Sequence, residues 1–352
     1  MNPSKLRSLR PTIGAIACFG GAAFFGTWYR RSFADRSTAS RTFDPDYFSQ
    51  FTLESKQPVS STSAIFTLRQ HIPGKDEADK LQAFNERFWR TLWSVQIKQP
   101  QLQIGRDYTP LPPLLDDDGS TNHSNSIKLR LYVRAYNPGE MSSYIHRLPI
   151  AGKLDLRGPH NELAVDGDIE EVVFLAGGTG IAPAMQMAYA LSQYPNARMS
   201  ILWACRQRED CAGGEGSVVP PSKSWKDRLS GSKQIPVAIS AGPKSPIVEE
   251  LEGLQKRWND GSDSAGGRLR IQYFVDEEGT FINYKEVMTL AKPSAPASPS
   301  SRGKKVLFVS GPDGFINYWA GPKVWRDGQE QQGRLGGVLA RLNLRDWTVW
   351  KL

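Results

Sequence analysis

Two patterns of apolar residues divide the chain beyond its first forty residues. Between residues 46 and 165, short runs alternate apolar and polar positions, which is typical of half-buried β-strands. Many such strands with turns between them predict an antiparallel barrel. The clearest runs are Ser49–Glu54, Ala64–Arg69, Trp93–Lys98 and Ile127–Tyr136. An amphipathic helix is predicted at Asp79–Trp93, where it would cover one end of the barrel.

From residue 166 to the C-terminus, apolar strands alternate with helices. The strand Val172–Leu175 leads through a glycine turn into the helix Ala182–Gln193 and then into the strand Met199–Ala204. This order is a βαβ unit, so the sequence predicts an open, Rossmann-like parallel sheet. Further strands are predicted at Ile235–Ser240, Leu269–Phe274 and Lys305–Val309, with helices at Glu249–Trp258 and Tyr284–Ala291.

The N-terminal segment 1–41 differs from both halves. Residues Met1–Ala34 contain arginines and serines but no acidic residue, which is typical of a mitochondrial import segment. Within it, Thr12–Tyr29 is uncharged and would span about 27 Å as a helix, close to the ~30 Å hydrocarbon core of a bilayer. We therefore expect a mitochondrial targeting segment with one transmembrane helix. A secretory signal and a fully removed presequence are the competing interpretations, and basic residues on both sides leave the orientation open.

The charge of the chain is concentrated in this first segment. The formal net charge is +8, but residues 1–41 hold seven basic residues and one acidic residue. The remaining 311 residues are therefore nearly neutral, and we expect no nucleic-acid partner. The three cysteines, Cys18, Cys205 and Cys211, are too few for a disulfide scaffold and form no close Cys/His pair, so no metal site is expected. Cys205 is interpreted as a small buried apolar residue rather than a redox group.

A glycine-rich turn follows the first strand of the second half. Gly177, Gly178, Thr179 and Gly180 separate the strand from the helix, and Pro183 takes the place of the last glycine of a full dinucleotide fingerprint. Backbone N–H groups at such a helix start face a pyrophosphate, and Thr179 adds a hydroxyl donor. The turn alone fits either a dinucleotide site or an ordinary tight turn.

Two strings in the first half complement this turn. Arg106, Tyr108 and Thr109 supply a guanidinium for phosphate, an aromatic ring and a hydroxyl for a ring heteroatom, which together suit a flavin nucleotide. The string Pro138–Ser143 places a glycine turn, backbone amides and a serine hydroxyl at the start of a predicted helix, which suits a second pyrophosphate. An ordinary surface turn and a serine helix cap are the structural alternatives.

Four strings in this order resemble the ferredoxin–NADP reductase superfamily and, within it, the cytochrome b5 reductase branch. They are Arg106-Asp107-Tyr108-Thr109, Val133-Arg134-Ala135-Tyr136, Gly139-Glu140-Met141-Ser142 and the string 177–183. The resemblance extends from Phe48 to the C-terminus. It implies an antiparallel FAD-binding barrel domain at 46–165 and an NAD(P)-binding α/β domain at 166–352. The implied cofactors are FAD and NADH or NADPH.

The resemblance also implies roles for individual residues. The implied FAD-binding set is Arg106, Tyr108 and Thr109 for the phosphate and isoalloxazine, with Gly139, Met141 and Ser142 for the pyrophosphate. Thr179 would lie between the flavin and the dinucleotide. The remaining cofactor-binding candidates are Arg134, Tyr136, Gly177, Gly178, Gly180, Pro183, Arg206, Gly311 and Pro312.

The predicted strand at Lys305–Val309 ends in a departure from the family pattern. Ser310 stands where the family usually has a cysteine that approaches the nicotinamide and flavin, while Gly311 and Pro312 remain. A serine can still contact the ring. The candidate catalytic residues are therefore Thr109, at the reactive edge of the flavin, and Ser310.

Two further features have alternative interpretations. Arg206 and Arg208 follow the strand Met199–Ala204 and favour tolerance of the 2′-phosphate of NADPH, although neighbouring acidic residues favour a free ribose and the arginines also fit a solvated strand end. The aromatic ending Trp347–Leu352 fits either a position near the flavin or a place in the sheet, and we favour the sheet.

A narrower resemblance concerns the whole architecture. The N-terminal anchor, the string Ser310–Phe315 and the ending Trp347–Leu352 are similar to a fungal mitochondrial inner-membrane flavoprotein family that assists haem attachment to cytochrome c. The similarity implies a single-pass inner-membrane protein whose catalytic domains face the intermembrane space. The implied partners are a haem or haem-protein electron acceptor, apocytochrome c and the haem lyase machinery. An NADH–cytochrome b5 reductase and a non-catalytic flavoprotein scaffold are the alternatives.

Overall fold

A computed structural model describes residues 43–71, 84, 87–114, 126–214, 243–260, 268–291, 303–326 and 329–352. The predicted targeting and anchor segment 1–41 and the predicted strand Ile235–Ser240 lie outside these ranges. Residues Phe43–Leu352 form one compact unit. Within the described ranges, every helix is too short or too polar to span a bilayer.

The first half forms an antiparallel sheet of six strands in the order β4-β3-β6-β1-β2-β5. The strands are β1 (Ser49–Ser60), β2 (Ser63–His71), β3 (Thr91–Gln99), β4 (Ile104–Tyr108), β5 (Ser126–Arg134) and β6 (Lys153–Ala164). The segment after β4 returns to β5, where Pro110 bridges Leu131 and the Leu111 N–H donates to the Arg130 carbonyl at 2.7 Å. The two edges of the sheet therefore meet, as a barrel requires.

Two details of this half differ from the sequence pattern. Phe84 and residues 87–88 are helical, but strand β3 begins at Thr91, so the predicted helix ends too late. Leu92 and Trp93 are both fully buried, on opposite faces of the strand. Two consecutive apolar residues fit the periodicity of a helix as well as that of a strand buried on both faces, so the pattern does not mark the boundary. Strand β6 was not predicted from the sequence, because it contains Gly158-Pro159, a pair that normally indicates a turn.

The second half contains a five-stranded parallel sheet in the order β13-β10-β7-β8-β9. Its strands are β7 (Ile169–Gly177), β8 (Arg198–Cys205), β9 (Leu269–Val275), β10 (Lys304–Ser310) and β13 (Trp347–Lys351), and β11 (Val324–Arg326) pairs with β12 (Gln329–Gln331) as a separate hairpin. The chain builds outward from β7 to β9 and then returns to place β10 on the other side of β7. The carboxyl ends of β7 and β10 therefore form the switch point at which ligands bind in open α/β sheets.

Five helices complete the described fold: α1 (Glu140–Arg147), α2 (Ile181–Leu191), α3 (Pro246–Asn259), α4 (Tyr284–Leu290) and α5 (Asp313–Ala320). Apolar side chains fill the barrel and cover both faces of the parallel sheet. The aromatic C-terminal ending is strand β13, paired with β10 from Lys305 to Val309, which confirms the favoured interpretation.

Candidate cofactor-binding site

The loops that follow β7 and β10 lie against one another at the switch point. A Cβ atom on Gly180 would lie 2.4 Å from the Ser310 carbonyl oxygen. Similarly, a Cβ on Gly311, whose φ is +149°, would lie 2.9 Å from the Gly177 carbonyl oxygen. Glycine at both positions therefore allows the two backbones to touch, which brings the predicted strings 177–183 and 310–312 together.

The turn between β7 and α2 leaves space at Gly178. Its φ is +54°, and a Cβ built there would have no neighbour within 4 Å. The indole Nε1 of buried Trp203 donates to the Gly178 carbonyl oxygen at 2.9 Å, which fixes the turn from below. Thr179 is half-buried, and Pro183 is buried in the first turn of α2. The open side of the turn is a suitable place for a phosphate to approach backbone N–H groups.

A cavity of about 540 Å³ opens at this edge of the parallel sheet. The volume is in the range of small-molecule sites, roughly 300–1,000 Å³. Six predicted residues line it: Arg134, Tyr136, Gly177, Gly178, Arg206 and Pro312. Cys205, Asp276, Phe281, Phe315 and Tyr318 also line it, and sequence reasoning assigned none of them to a cofactor site. The cavity therefore combines a glycine turn, aromatic faces and charges of both signs.

The predicted flavin string lies at the end of strand β4. Arg106 is exposed, and its Nη1 donates to the Gly105 carbonyl oxygen at 3.0 Å. Burial raises the pKa of the Tyr108 phenol above its ordinary value. The charge of nearby Arg106 lowers this pKa in part, whereas Tyr136 raises it further. Tyr108 therefore stays neutral and keeps an apolar ring face. Thr109 is half-buried beside it.

The second predicted pyrophosphate string forms a tight turn before helix α1. The Ser142 Oγ accepts the Tyr136 N–H at 3.1 Å and donates to the Gly139 carbonyl oxygen at 3.4 Å. A Cβ on Gly139 would lie 2.6 Å from that same Oγ, so glycine is needed there. Met141 packs into the barrel core. The serine thus closes the turn instead of capping the helix, and no side-chain cap is present at Gly139.

Helix α2 connects the two halves through a polar residue that sequence reasoning missed. Gln186 is fully buried; its Oε1 accepts the Trp93 N–H at 2.8 Å and its Nε2 donates to the Pro110 carbonyl oxygen at 3.2 Å. Pro110 directly follows Thr109, so this amide holds the flavin string against the helix that follows the glycine turn. The sequence feature that could have indicated this role is a glutamine in the middle of an otherwise apolar helix, because a buried polar side chain needs hydrogen-bond partners.

An ion pair also crosses between the halves at the cavity. The guanidinium of Arg134, on β5, donates to the carboxylate of Asp210, which is fully buried. Burial by itself lowers the pKa of Arg134, but the hydrogen bond and charge of Asp210 outweigh it and the pKa is raised. Arg134 therefore stays charged beside the cavity. No local sequence pattern marks Asp210 as the partner of Arg134, because the two residues are 76 positions apart.

The two arginines after β8 have different environments. Arg206 is exposed and lines the cavity together with Asp276. Arg208 instead makes a bidentate ion pair with Glu278, with Nε to Oε1 at 2.6 Å and Nη2 to Oε2 at 2.5 Å. Of the two arginines, only Arg206 lines the cavity, and the Asp276 carboxylate is part of the same lining. This arrangement reduces the positive charge that a 2′-phosphate would meet.

The two candidate catalytic residues do not line the cavity. Ser310 is buried at the carboxyl end of β10, and its carbonyl oxygen is the group in contact with Gly180. Thr109 lies on the barrel side, next to the proline held by Gln186. Their catalytic roles stay predictions.

Comparison with known proteins identifies the two domains. The sequence matches the oxidoreductase FAD-binding domain over residues 50–164 and the oxidoreductase NAD-binding domain over residues 174–215. The chain therefore contains an FAD-binding and an NAD-binding domain of the oxidoreductase type. The resemblance drawn from the four strings is thus confirmed, and so are FAD and a nicotinamide dinucleotide as the cofactors of this oxidoreductase.

Two curated proteins are relatives to which the chain is similar in sequence. The chain is 25% identical over 250 residues to NADH-cytochrome b5 reductase 2 of Kluyveromyces lactis, covering 70% of this chain and 66% of that protein. It is 27% identical over 360 aligned positions to the cytochrome c mitochondrial import factor CYC2 of Saccharomyces cerevisiae, covering 88% of this chain and 83% of that protein. The chain thus spans about two thirds of the Kluyveromyces reductase and more of the import factor.

A solved structure shows the same fold. The full-length CYP116B46 from Tepidiphilus thermophilus superposes with a TM-score of 0.51 at 16% identity, covering 92% of this chain and 31% of that one. At this identity the similarity concerns the fold alone.

Proposed function

We propose that this flavoprotein oxidises NADH or NADPH and reduces a haem-containing acceptor. The observation that supports it most directly is that Gln186 joins the segment after Thr109 to the helix after the glycine turn. The segment that carries the predicted flavin string is thereby joined to the helix that follows the predicted dinucleotide turn, which supports one site for both cofactors. Bound FAD supplies the hydride and single-electron chemistry, while the protein positions the reactants.

The residues have separate tasks in this proposal. The backbone N–H groups of Gly178–Gly180 hold the dinucleotide pyrophosphate, and Arg106 holds an FAD phosphate. Neutral Tyr108 offers its ring face to the isoalloxazine, and the Thr109 hydroxyl contacts its reactive edge. Arg134, held charged by Asp210, adds a fixed positive charge at the cavity.

The geometry bears on the choice of dinucleotide. Arg206 attracts a 2′-phosphate, whereas the Asp276 carboxylate accepts hydrogen bonds from a free ribose and repels a phosphate. Because Arg208 is occupied by Glu278, we expect both dinucleotides to react, with NADH binding more tightly. Titration of each dinucleotide tests this order.

The proposal includes a cellular setting. We infer a single-pass protein of the mitochondrial inner membrane, anchored by the segment 1–41, with its catalytic domains in the intermembrane space. Its role would be to keep haem, or the thiols of apocytochrome c, reduced for the haem lyase during cytochrome c maturation. Similarity to the yeast import factor over 88% of the chain supports this role.

A cytochrome b5 reductase-type activity is the second candidate. The similarity to NADH-cytochrome b5 reductase 2 favours it. The two candidates share every site residue and differ in the acceptor. To distinguish the two candidates, the rate of reduction of cytochrome b5 is compared with the rate of reduction of haem bound to the haem lyase. Both rates are measured with the same enzyme preparation.

The primary test is the absorbance spectrum of the full-length protein in detergent, before and after anaerobic addition of NADH and then NADPH. Flavin bands that bleach support the reductase and identify its donor. Flavin bands that persist favour a non-catalytic scaffold, and absence of flavin contradicts the site.

A matched pair of variants locates the flavin. Arg106→Ala should weaken FAD retention about tenfold, because a charge-assisted bond to phosphate is lost. Arg90→Ala removes another exposed arginine, and should leave FAD retention unchanged. Equal retention by both variants would contradict the assigned role of Arg106.

A further inference from the structure

The 3-10 turn that follows strand β8, Arg208–Cys211, is bonded to the barrel by the carboxylate of Glu209. The hydroxyl of Ser61 donates to its Oε1 at 2.5 Å, and the Ser61 N–H donates to its Oε2 at 3.0 Å. Ser61 lies in the tight turn between strands β1 and β2, 148 positions earlier in the chain. Both oxygens of one side chain therefore hold the same residue of the barrel.

The same region is bonded to the loop that follows strand β9. The Glu277 N–H donates to the Arg206 carbonyl oxygen at 3.2 Å, and the Arg208 N–H donates to the Glu277 Oε1 at 2.5 Å. Asp276 is the first residue of this loop, and it lines the cavity together with Arg206. The two charged residues that face the dinucleotide in the proposed function are therefore joined to the turn that Glu209 attaches to the barrel.

Glu209 is suited to an attachment that persists at neutral pH. The hydrogen bonds from Ser61, first from its hydroxyl and then from its N–H, lower the pKa of the Glu209 carboxyl. Burial opposes this, and the charge of Arg134 lowers the pKa further. The carboxylate thus stays ionised, and hydrogen bonds to an ionised acceptor are stronger than those between neutral groups. The next residue, Asp210, holds Arg134 of the barrel, so the turn has two adjacent attachments and a fixed orientation.

We propose that Glu209 is a positioning residue for hydride transfer, which acts through Ser61 to fix the dinucleotide-binding edge of the cavity against the barrel. In that step a hydride, one proton with two electrons, passes from NADH to FAD, so that NADH becomes NAD⁺ and FAD takes up both electrons. Its rate depends steeply on the distance and alignment of the two rings. The inference rests on this transfer between the two cofactors and not on the proposed acceptor.

The first test separates positioning from binding. Anaerobic stopped-flow mixing of the FAD-loaded, full-length protein with NADH gives the limiting rate of flavin bleaching and the affinity for NADH. We expect Glu209→Ala to lower the limiting rate about 5-fold or more, because the rings lose their alignment. The affinity for NADH should change by less than about twofold, because Arg206 and Asp276 stay joined to each other. A general loss of structure would instead lower FAD retention and NADH affinity together, and that result would overturn the proposal.

Variants of Ser61 test the route of the effect. Ser61→Ala, which keeps the N–H bond, should lower the limiting rate by a smaller factor, and Ser61→Thr should restore it. In the Glu209→Ala background, Ser61→Ala should have no further effect, because the hydroxyl has already lost its partner. Independent effects of the two substitutions would overturn the route through Ser61.

The matched control is Glu249→Ala, which removes an exposed acidic residue of helix α3 and should leave the limiting rate unchanged. Variants of Glu209 and Ser61 that react at the rate of the parent protein would overturn this proposal alone. A parent protein whose flavin is not bleached by either dinucleotide would contradict the reductase activity itself.

The second test needs no turnover. Amide hydrogen exchange of the full-length protein without dinucleotide is followed by mass spectrometry of peptides that contain Ser61 or residues 206–211. In Glu209→Ala the Ser61 N–H loses its charged acceptor, and we expect it to exchange about tenfold faster. Exchange in the turn 206–211 should also be faster, while peptides from helix α3 stay unchanged. Unaltered exchange at both places would overturn the attachment, whatever the rate of bleaching.

Discussion

Gly180 illustrates how one missing side chain shapes the site. Its φ of −61° is an ordinary helical value that alanine also adopts, so the need for glycine there is not a matter of backbone conformation. The need comes from the Ser310 carbonyl oxygen, which a Cβ would approach to 2.4 Å. Because the obstacle is backbone on a neighbouring strand, it has no side-chain torsion through which to move away.

Gly180→Ala should therefore lower the free energy of unfolding by about 1–3 kcal/mol through overpacking, and it should weaken dinucleotide binding as the two loops separate. Urea unfolding followed by fluorescence measures the first effect. Gly253→Ala is the matched control: it lies in helix α3 with no neighbour within 4 Å of a new Cβ. That variant should gain about 0.5–1 kcal/mol. Equal effects of the two substitutions would contradict the loop contact.

Glu278 provides a pH-dependent contribution to stability. Hydrogen bonding from Arg208 lowers the pKa of its carboxyl below the ordinary value of 4.5. A carboxyl with a lowered pKa in the folded state stabilises the fold above its unfolded pKa. That contribution is lost as the pH falls through the folded pKa.

We therefore expect Glu278→Gln to lower the free energy of unfolding at pH 7, and the difference from the parent protein to shrink as the pH falls below 4.5. Urea unfolding at a series of pH values measures this. In an Arg208→Met background the same substitution should show no such pH dependence. A difference that persists unchanged into acid would show that the ion pair is not its source.

Among the elements, the C-terminal strand β13 has a role beyond the sheet edge. Lys351 is 3% exposed, and its Nζ donates to the carbonyl oxygens of Pro322 at 2.9 Å and Arg334 at 3.0 Å. Its backbone N–H donates to the Gln332 side chain at 2.7 Å. These bonds join β13 to both ends of the segment that carries the β11–β12 hairpin. Burial, with nearby Lys323, lowers the pKa of Lys351.

Lys351→Met should therefore release this hairpin. Two carbonyl oxygens lose their partner, at a cost of about 1–3 kcal/mol, and we expect trypsin to cleave within residues 323–334 faster than in the parent protein. Limited proteolysis with mass spectrometry measures the rate. Lys285→Met changes an exposed lysine on helix α4 and should leave that rate unchanged. An unaltered rate in Lys351→Met would mean that the hairpin holds its place without this amine.

In the whole molecule, the barrel and the parallel sheet are held together by ion pairs with little solvent access. Arg130, on β5, contacts Glu250, on helix α3, with Nη1 to Oε1 at 2.8 Å and Nη2 to Oε2 at 2.5 Å. Their side chains are 10% and 15% exposed. The Arg134–Asp210 pair lies on the same strand β5 and reaches the same half. Strand β5 is thus the part of the barrel most closely tied to the dinucleotide half by charge.

Arg130→Met should destabilise the molecule by roughly 3 kcal/mol, because it leaves the carboxylate of Glu250, which has little access to solvent, without its partner. Arg69→Met is a suitable control, since its pair with Glu54 is 44% and 35% exposed and is expected to contribute below about 1 kcal/mol. Both are measured by urea unfolding. If the two variants lose the same free energy, the pair between the halves contributes no more than a surface contact.

Local patterns along the chain were sufficient for most elements. Alternation predicted strands β1, β2, β3 and β5, and the strand–glycine–helix order predicted the parallel sheet, because these patterns report which face of each element is buried. Helix α3 was expected at Glu249–Trp258 and extends over Pro246–Asn259. The same local reasoning failed for β6, where Gly158-Pro159 suggested a turn, and for the boundary at Thr91, where consecutive apolar residues fit both periods.

Tertiary structure decided which of the candidate residues meet. The glycine strings were visible because their chemistry lies within a few consecutive residues. The role of Gln186 was not visible, because the Trp93 N–H that it accepts is 93 positions away. Asp210 likewise depends on Arg134, which is 76 positions away. Order along the chain therefore specifies strands, turns and cofactor strings. Hydrogen bonds and ion pairs between distant segments depend on packing, which no short window of sequence contains.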